Sequence, residues 1–218
     1  MNRIKILKFS LILFATSVSL LGARMSLGIE KPNYQSLYKN SEIEIRRYDP
    51  YIVAEVEVDG SLEDAGNKGF RPLADYIFGN NIASEKISMT APVTQQDSSA
   101  EEKSEKISMT APVTQQGNGN KKIVRFMMPS KYTLENLPKP KNPEVKLKQI
   151  PGETFAVIQY SGRWTEANYE KHLNKLREEM AKLDLSGLGD PVWARYDPPF
   201  MPWFLRTNEI QIPTVWKK

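Results

Sequence analysis

Apolar and polar residues alternate by twos over most of this chain, and two stretches that break the alternation follow the helical period instead. Ile43, Ile45 and Arg47 share one face of a strand, and Ile52, Ala54, Val56 and Val58 share one face of the next, with Asp49-Pro50 as the turn of a hairpin between them. Ser61 then caps a helix whose apolar positions Leu62, Ala65, Phe70, Leu73 and Ile77 keep helical spacing up to Gly79. Gly66 and Gly69 weaken this helix intrinsically, which points to close packing against something flat.

The segment SEKISMTAPVTQQ occupies Ser84–Gln96 and returns unchanged at Ser104–Gln116. In the first copy Ile87, Met89, Ala91 and Val93 lie on one side and Ser88, Thr90, Pro92 and Thr94 on the other, so each copy reads as a half-buried strand. Pro92 and Pro112 cannot donate to a ladder and belong at sheet edges or strand ends. The polar DSSAEEK between the copies would let them pair antiparallel with their apolar rows on one face. KKIVRFMMPS follows as a strand, with Val124, Phe126 and Met128 on one face.

Three prolines in NLPKPKNP form a stiff connector from Asn136 to Pro143, and beyond it the order of elements repeats although the letters do not. Strands are expected at Val145–Gln149 and Thr154–Tyr160, a helix from Thr165 to about Leu183, and strands near Pro191–Tyr196 and Asn208–Ile212. The helix buries Tyr169, Leu173, Leu176, Met180 and Leu183. Neither half, about 34–135 or about 144–216, has enough strands to cover a core alone. The expected fold is therefore α+β: a distorted antiparallel β-barrel of two pseudo-repeated strand-strand-helix-strand-strand halves, with two long helices packed outside, in a single domain over residues 34–218.

Charge and the N-terminus narrow the class of partner. The formal net charge of +4 comes from 30 basic and 26 acidic residues; without Arg3, Lys5 and Lys8 the balance is 27 to 26, which argues against a nucleic-acid partner. Those three cations precede the apolar run Phe9–Leu21 and the small residues before Arg24, the layout of an export signal over residues 1–23, with a linker at 24–33. The expected location is periplasmic or extracellular; an uncleaved inner-membrane anchor is the alternative, and membrane contact is expected only through this segment. With no cysteine in the chain, disulfides and lipid anchoring through cysteine are excluded.

Catalytic chemistry is poorly supplied. There is one histidine and no cysteine, and no G-x-S-x-G, H-E-x-x-H or glycine-rich phosphate loop, so a binding protein is expected rather than an enzyme, with no obligate protein partner. His172 borders the apolar stripe of the second helix and is either an iron ligand turned inward or a surface histidine bonded to a neighbour. Met89, Met109, Met127 and Met128 fall in strands of the first half and would suit a flat aromatic guest, or simply fill the core. Arg47 falls on a face expected to be apolar, where a cation needs an acidic partner or a ligand carboxylate. The stretch WARYDPPFMPWFLRTNEIQI interleaves aromatics with prolines and is too apolar to hang in water; it closes the core or rims a pocket.

Four stretches together resemble the SOUL, or haem-binding protein, family: IEIRRYDPY at Ile43–Tyr51, KISMTAPVTQ, VRFMMPSKYTLENLPKP at Val124–Pro140, and YDPP at Tyr196–Pro199 with RTNEI at Arg206–Ile210. The resemblance runs from about Tyr34 to Trp216. It implies a distorted barrel of two repeated halves and reversible binding of haem or another tetrapyrrole in an apolar groove. Some members place a histidine at the position matching Arg47, and this chain does not, so hydrophobic contact with weak or no axial ligation is implied here. By the same resemblance Lys68 and Arg71 would meet propionates, and Arg47, Met89, Met109, Met127 and His172 complete the candidate set, with His172 as the candidate metal ligand. The alternative is a module for amphipathic or cationic aromatic ligands, like the effector-binding domains of bacterial regulators, which would need an acidic residue deep in its pocket.

Overall fold

Each half of the chain pairs a strand from near its start with the other half, and this exchange makes one sheet out of two incomplete ones. The computed structural model describes residues 29–83, 103–117 and 119–217; the segment expected to be an export signal, the start of the expected linker and the first repeat copy with Met89 lie outside the described residues. Strands β1 (Tyr34–Lys39), β2 (Glu44–Tyr48) and β3 (Tyr51–Asp59) precede helix α1 (Leu62–Ile77). Strands β4 (Asn81–Ile82), β5 (Val113–Gln116), β6 (Lys121–Met127), β7 (Lys139–Pro140), β8 (Lys146–Ile150) and β9 (Thr154–Tyr160) lead to helix α2 (Glu166–Lys182). Strands β10 (Val192–Arg195) and β11 (Asn208–Pro213) end the fold, and β4 and β7 form a separate short pair.

The large sheet runs β1-β2-β9-β11-β10-β5-β6-β3-β8, all neighbours antiparallel. Apart from β1 the order is palindromic about the β5–β10 pair: β2 of the first half lies against β9 of the second, and β8 of the second lies against β3 of the first. The sheet curls into a half-barrel with both helices on its outer face, so the expected α+β architecture is the observed one.

The exchange also corrects two expectations. Strands β2 and β3 do not form a hairpin across Asp49-Pro50, because both sides of β3 are occupied by β6 and β8. The repeat copies do not pair through Val113–Gln116 either, since β6 and β10 flank that segment. Pro112 stands immediately before β5, at a strand end in the middle of the sheet. Strand β1 was not expected from its sequence: YQSLYK lacks clean alternation, and it pairs with β2 through a bulge between Ser36 and Tyr38.

Helix α1 lies close on β3 and β6. Ser61 Oγ accepts from Asp64 N at its start, and Gly79 takes a φ of +119° just beyond its end. A Cβ at Gly69 would stand 2.5 Å from Val124 Cβ, so the close approach of the helix to β6 at this point requires a residue without a side chain. Ala65, Leu73, Ala74 and Ile77 bury with Ala54, Val56, Val124 and Phe126. Helix α2, capped by Thr165, buries Tyr169, Leu173, Leu176 and Met180 against Ile45, Ala156, Ile158, Trp193 and Ile210.

Candidate functional site

The inner face of the half-barrel is held by charge. Arg46 donates from Nε and Nη2 to Glu44 Oε2 at 2.9 and 2.8 Å and from Nη1 to Glu209 Oε1 at 2.8 Å. Glu209 Oε2 accepts from Tyr196 Oη at 2.7 Å and Gln211 Nε2 at 3.1 Å. Three donors therefore engage both oxygens of Glu209, a buried carboxylate already matched by the Arg46 charge. Arg46, not Arg47, is the buried cation of β2: Arg47 is exposed, because the curl of the sheet also buries the face that carries Glu44, Arg46 and Tyr48.

On the outer face, where the two halves meet, a tier of arginines and indoles has no acidic counterpart of this kind. Arg195, the last residue of β10, stacks over Trp193 at 4.2 Å and over Trp164 at 4.9 Å, and Arg206 stacks over Trp164 at 4.1 Å. Trp164 is fixed by its Nε1–H, which donates to Asn208 Oδ1 at 2.8 Å. Burial drives the Arg195 guanidinium down to about 10; Tyr160 and Glu63 oppose the shift, and Arg206 adds to it.

The segment Tyr196–Thr207 closes into a braced loop beside this tier. Tyr196 N donates to the Thr207 carbonyl and Thr207 N to Asp197 Oδ2, while Arg206 holds the carbonyls of Met201 and Pro199 from inside the turn. With its backbone tied down, the loop displays Phe200, Trp203, Phe204 and Leu205 at 86%, 48%, 58% and 58% exposure. Arg163 lies over the Trp203 ring at 5.6 Å, and Gly162 N donates to the Trp203 carbonyl at 3.1 Å. The result is an exposed aromatic surface with guanidiniums at its edge.

The residues expected to form the site are scattered rather than gathered here. Lys68 is exposed and donates to the Asp59 carbonyl at 2.9 Å, and Arg71 is exposed on the same helix. Met109 is 47% exposed, whereas Met127 is buried at one end of the half-barrel, in a cleft of about 480 Å3 shared with Tyr51, Ile52, Met128 and Tyr132. His172 lies flat on Tyr160, ring centroids 4.0 Å apart, with Nδ1 2.7 Å from the Asn168 carbonyl. Burial lowers its pKa, with Lys171 and Lys175 adding to the effect against the Asn168 bond. Among the described residues no group of three His, Cys, Asp or Glu side chains is placed to hold a metal ion. Arg195 and Arg206 stood out in the sequence only as basic residues among aromatics, and Arg163 and Trp164 carried no signal beyond preceding a helix cap.

A family model described as SOUL heme-binding protein matches residues 29–104 and again 98–213. The chain belongs to the SOUL haem-binding family. The two matches overlap at residues 98–104, so the first contains the first repeat copy and the second contains the second. Heme-binding protein 1 of Xenopus tropicalis is 28% identical over 174 residues, 76% of this chain and 84% of that protein. Among solved structures, the EcmrR C-terminal domain covers 84% of this chain with 98% of its own length at a TM-score of 0.56 and 10% identity. A Listeria innocua protein described as a hydrolase covers 82% with 94% of its own, at a TM-score of 0.53 and 12% identity. At those identities the likeness is one of fold.

Proposed function

We propose that this SOUL-family protein is a non-catalytic, reversible binder of haem or a related tetrapyrrole, and that the exposed aromatic loop beside Arg163, Arg195 and Arg206 receives the ring. The observation that carries this reading is the braced display of Phe200, Trp203, Phe204 and Leu205, four large apolar side chains held in water by a loop whose backbone is tied at both ends. Such a surface gains from covering by a flat apolar body, roughly 25 cal/mol for each Å2 removed from water. A bound tetrapyrrole would supply that body together with two carboxylates.

Charge selects between the two kinds of guest. A cationic aromatic ligand would meet guanidiniums at the loop, and inside the half-barrel it would meet a Glu209 already engaged by Arg46, Tyr196 and Gln211. An anionic ring meets favourable partners at the loop. The groups at this surface are indole, phenyl and guanidinium, which orient a ring and its carboxylates without bonding a metal, so affinity would come from contact and charge.

Absorbance titration with haemin and with iron-free protoporphyrin tests the reading. Both are expected to bind, with affinities within about tenfold of each other, since apolar contact does not depend on the iron. Failure of both to bind overturns the proposal, and a preference for haemin well beyond that range would place a protein ligand on the iron.

A further inference from the structure

Arg195 and Arg46 present the same side edge, Nε–H and Nη2–H, to opposite fates. In Arg46 that edge holds the Glu44 carboxylate at 2.9 and 2.8 Å. In Arg195 both atoms are buried and, among the described residues, bond to nothing. Two parallel N–H groups on this edge match the spacing of carboxylate oxygens, which makes the pairing of a planar carboxylate with it the strongest of the common ion-pair geometries.

Other buried polar atoms near the guanidinium are poorly paired as well. The Trp193 Nε1–H and the Tyr160 hydroxyl, buried beside the guanidinium, face each other without a well-aligned hydrogen bond, and Gln115 Oε1 has no partner among the described residues. Space has been kept for the guanidinium at a cost to helix α1: a Cβ at Gly66 would stand 2.5 Å from Arg195 Nη1. Stacking on two indoles offsets part of the cost of burying the charge, but leaves its in-plane donors unpaired. A chain that stores a cation with its carboxylate-binding edge open has a receptor in want of an anion.

We infer that Arg195, with Trp193 and Tyr160 beside it, is a buried receptor for one carboxylate group of the ligand, entered past Trp164 from the aromatic loop. The identity of that ligand as a tetrapyrrole rests on the function proposed above; the receptor itself does not. The carboxylate docks in the guanidinium plane, and Arg206 and Trp164 close behind it.

The test compares protoporphyrin with its dimethyl ester, which keeps the ring and removes both charges, on the full chain and on Arg195→Met and Arg195→Lys. The wild type is expected to bind the acid at least about tenfold more tightly than the ester, as the loss of one charge-assisted bidentate pair would produce. Arg195→Met is expected to lose most of that difference, keeping only what Arg163 and Arg206 at the loop give the acid, and Arg195→Lys, which keeps the charge but not the two-donor edge, to recover only a minor part of it. A wild type indifferent to esterification, or an Arg195→Met protein that discriminates as strongly as the wild type, overturns the inference. Melting temperatures in sodium benzoate against sodium chloride at equal ionic strength separate the two proposals. If no porphyrin binds but benzoate stabilises the wild type and not Arg195→Met, the receptor stands and the tetrapyrrole reading falls; if benzoate stabilises neither and no porphyrin binds, both fall.

Discussion

Arg46 and Glu209 stand 163 positions apart in the chain and 2.8 Å apart inside the half-barrel. Their contact ties β2, lent by the first half, to β11 of the second, and Glu44 completes the ion triad from the other side of the guanidinium. Burial alone would raise the pKa of Glu44, but bonds from Ser36 and Arg46 outweigh it and hold the group below its ordinary value. Replacing Arg46 by Met removes the cation shared by two buried carboxylates, leaving Glu44 with the exposed Lys39 at 3.6 Å and Glu209 with the neutral donors Tyr196 and Gln211. The expected loss is about 3–5 kcal/mol in urea unfolding, against about 1 kcal/mol for Tyr196→Phe, which removes one donor from a carboxylate that keeps two others. Equal, small losses for the two variants would mean the triad contributes little to holding the halves together.

Trp203→Ala combined with Phe204→Ala should separate binding from folding. Trp203 and Phe204 are 48% and 58% exposed, their rings edge to face at 5.5 Å. Stability is expected to change by less than about 0.5 kcal/mol, the range of ordinary surface substitutions, while protoporphyrin affinity falls by about tenfold or more. Unchanged affinity in a folded double variant would move the ring away from this loop.

Gly69→Ala sets helix propensity against packing. In an exposed helix the change gains up to about 1 kcal/mol, but here the new methyl meets Val124 at 2.5 Å and the helix must lift from β6. A net loss of about 1–3 kcal/mol is expected, as for other overpacked cores. Combining it with Val124→Ala should return most of the loss; two additive losses would show that the close approach is not what requires glycine.

These sites differ in how far the sequence discloses them. Thr165 as a cap and the stripe from Tyr169 to Met180 are local signals, and the helix they mark is observed at Glu166–Lys182. Alternation placed Ile43, Ile45 and Arg47 on one face correctly, yet periodicity says which residues share a face and not which faces are covered. The half-barrel covers both faces of β2, so the cation that needed a partner was Arg46. The strand exchange was equally hidden, since a two-residue turn with proline reads as a hairpin whether or not its strands pair. Trp164 and Arg195, both in the second half, lie 31 positions apart, and only the folded chain stacks them.

The duplicated segment offers a cleaner experiment. Removing Asp97–Gln116 or Ser84–Lys103 produces the same sequence, because the copies are identical. The second copy supplies β5, and Ala83 N already donates to the Lys103 carbonyl at 2.7 Å, so the chain ends to be joined in the shortened protein lie side by side. Asn81, which bonds both the N–H and the carbonyl of Glu105, would hold the spliced segment in the same way. The shortened protein is expected to unfold cooperatively, within about 1 kcal/mol of the full chain. Loss of a cooperative transition would show that the core needs both copies.

His172 decides how much the iron matters. Its Nδ1–H donates to the Asn168 carbonyl, which leaves the lone pair of the neutral ring on Nε2, and the ring borders a polar cleft with Glu42, Lys171, Lys175 and Glu178 rather than an aromatic surface. Burial disfavours the proton in the folded state, so the unfolded chain takes up a proton first as the solution is acidified. The corresponding stability is present above the unfolded value of 6.5 and is lost as pH falls below it toward the folded value. His172→Phe keeps the stack on Tyr160 and should flatten that part of the pH–stability curve. For haemin, His172→Ala is expected to change affinity by less than about 1 kcal/mol, with the ferric Soret band unmoved, because a polar, lysine-flanked cleft is a poor seat for an apolar ring. A tenfold loss of affinity together with a shifted Soret maximum in that variant would instead put Nε2 on the iron and move the ring from the aromatic loop to helix α2.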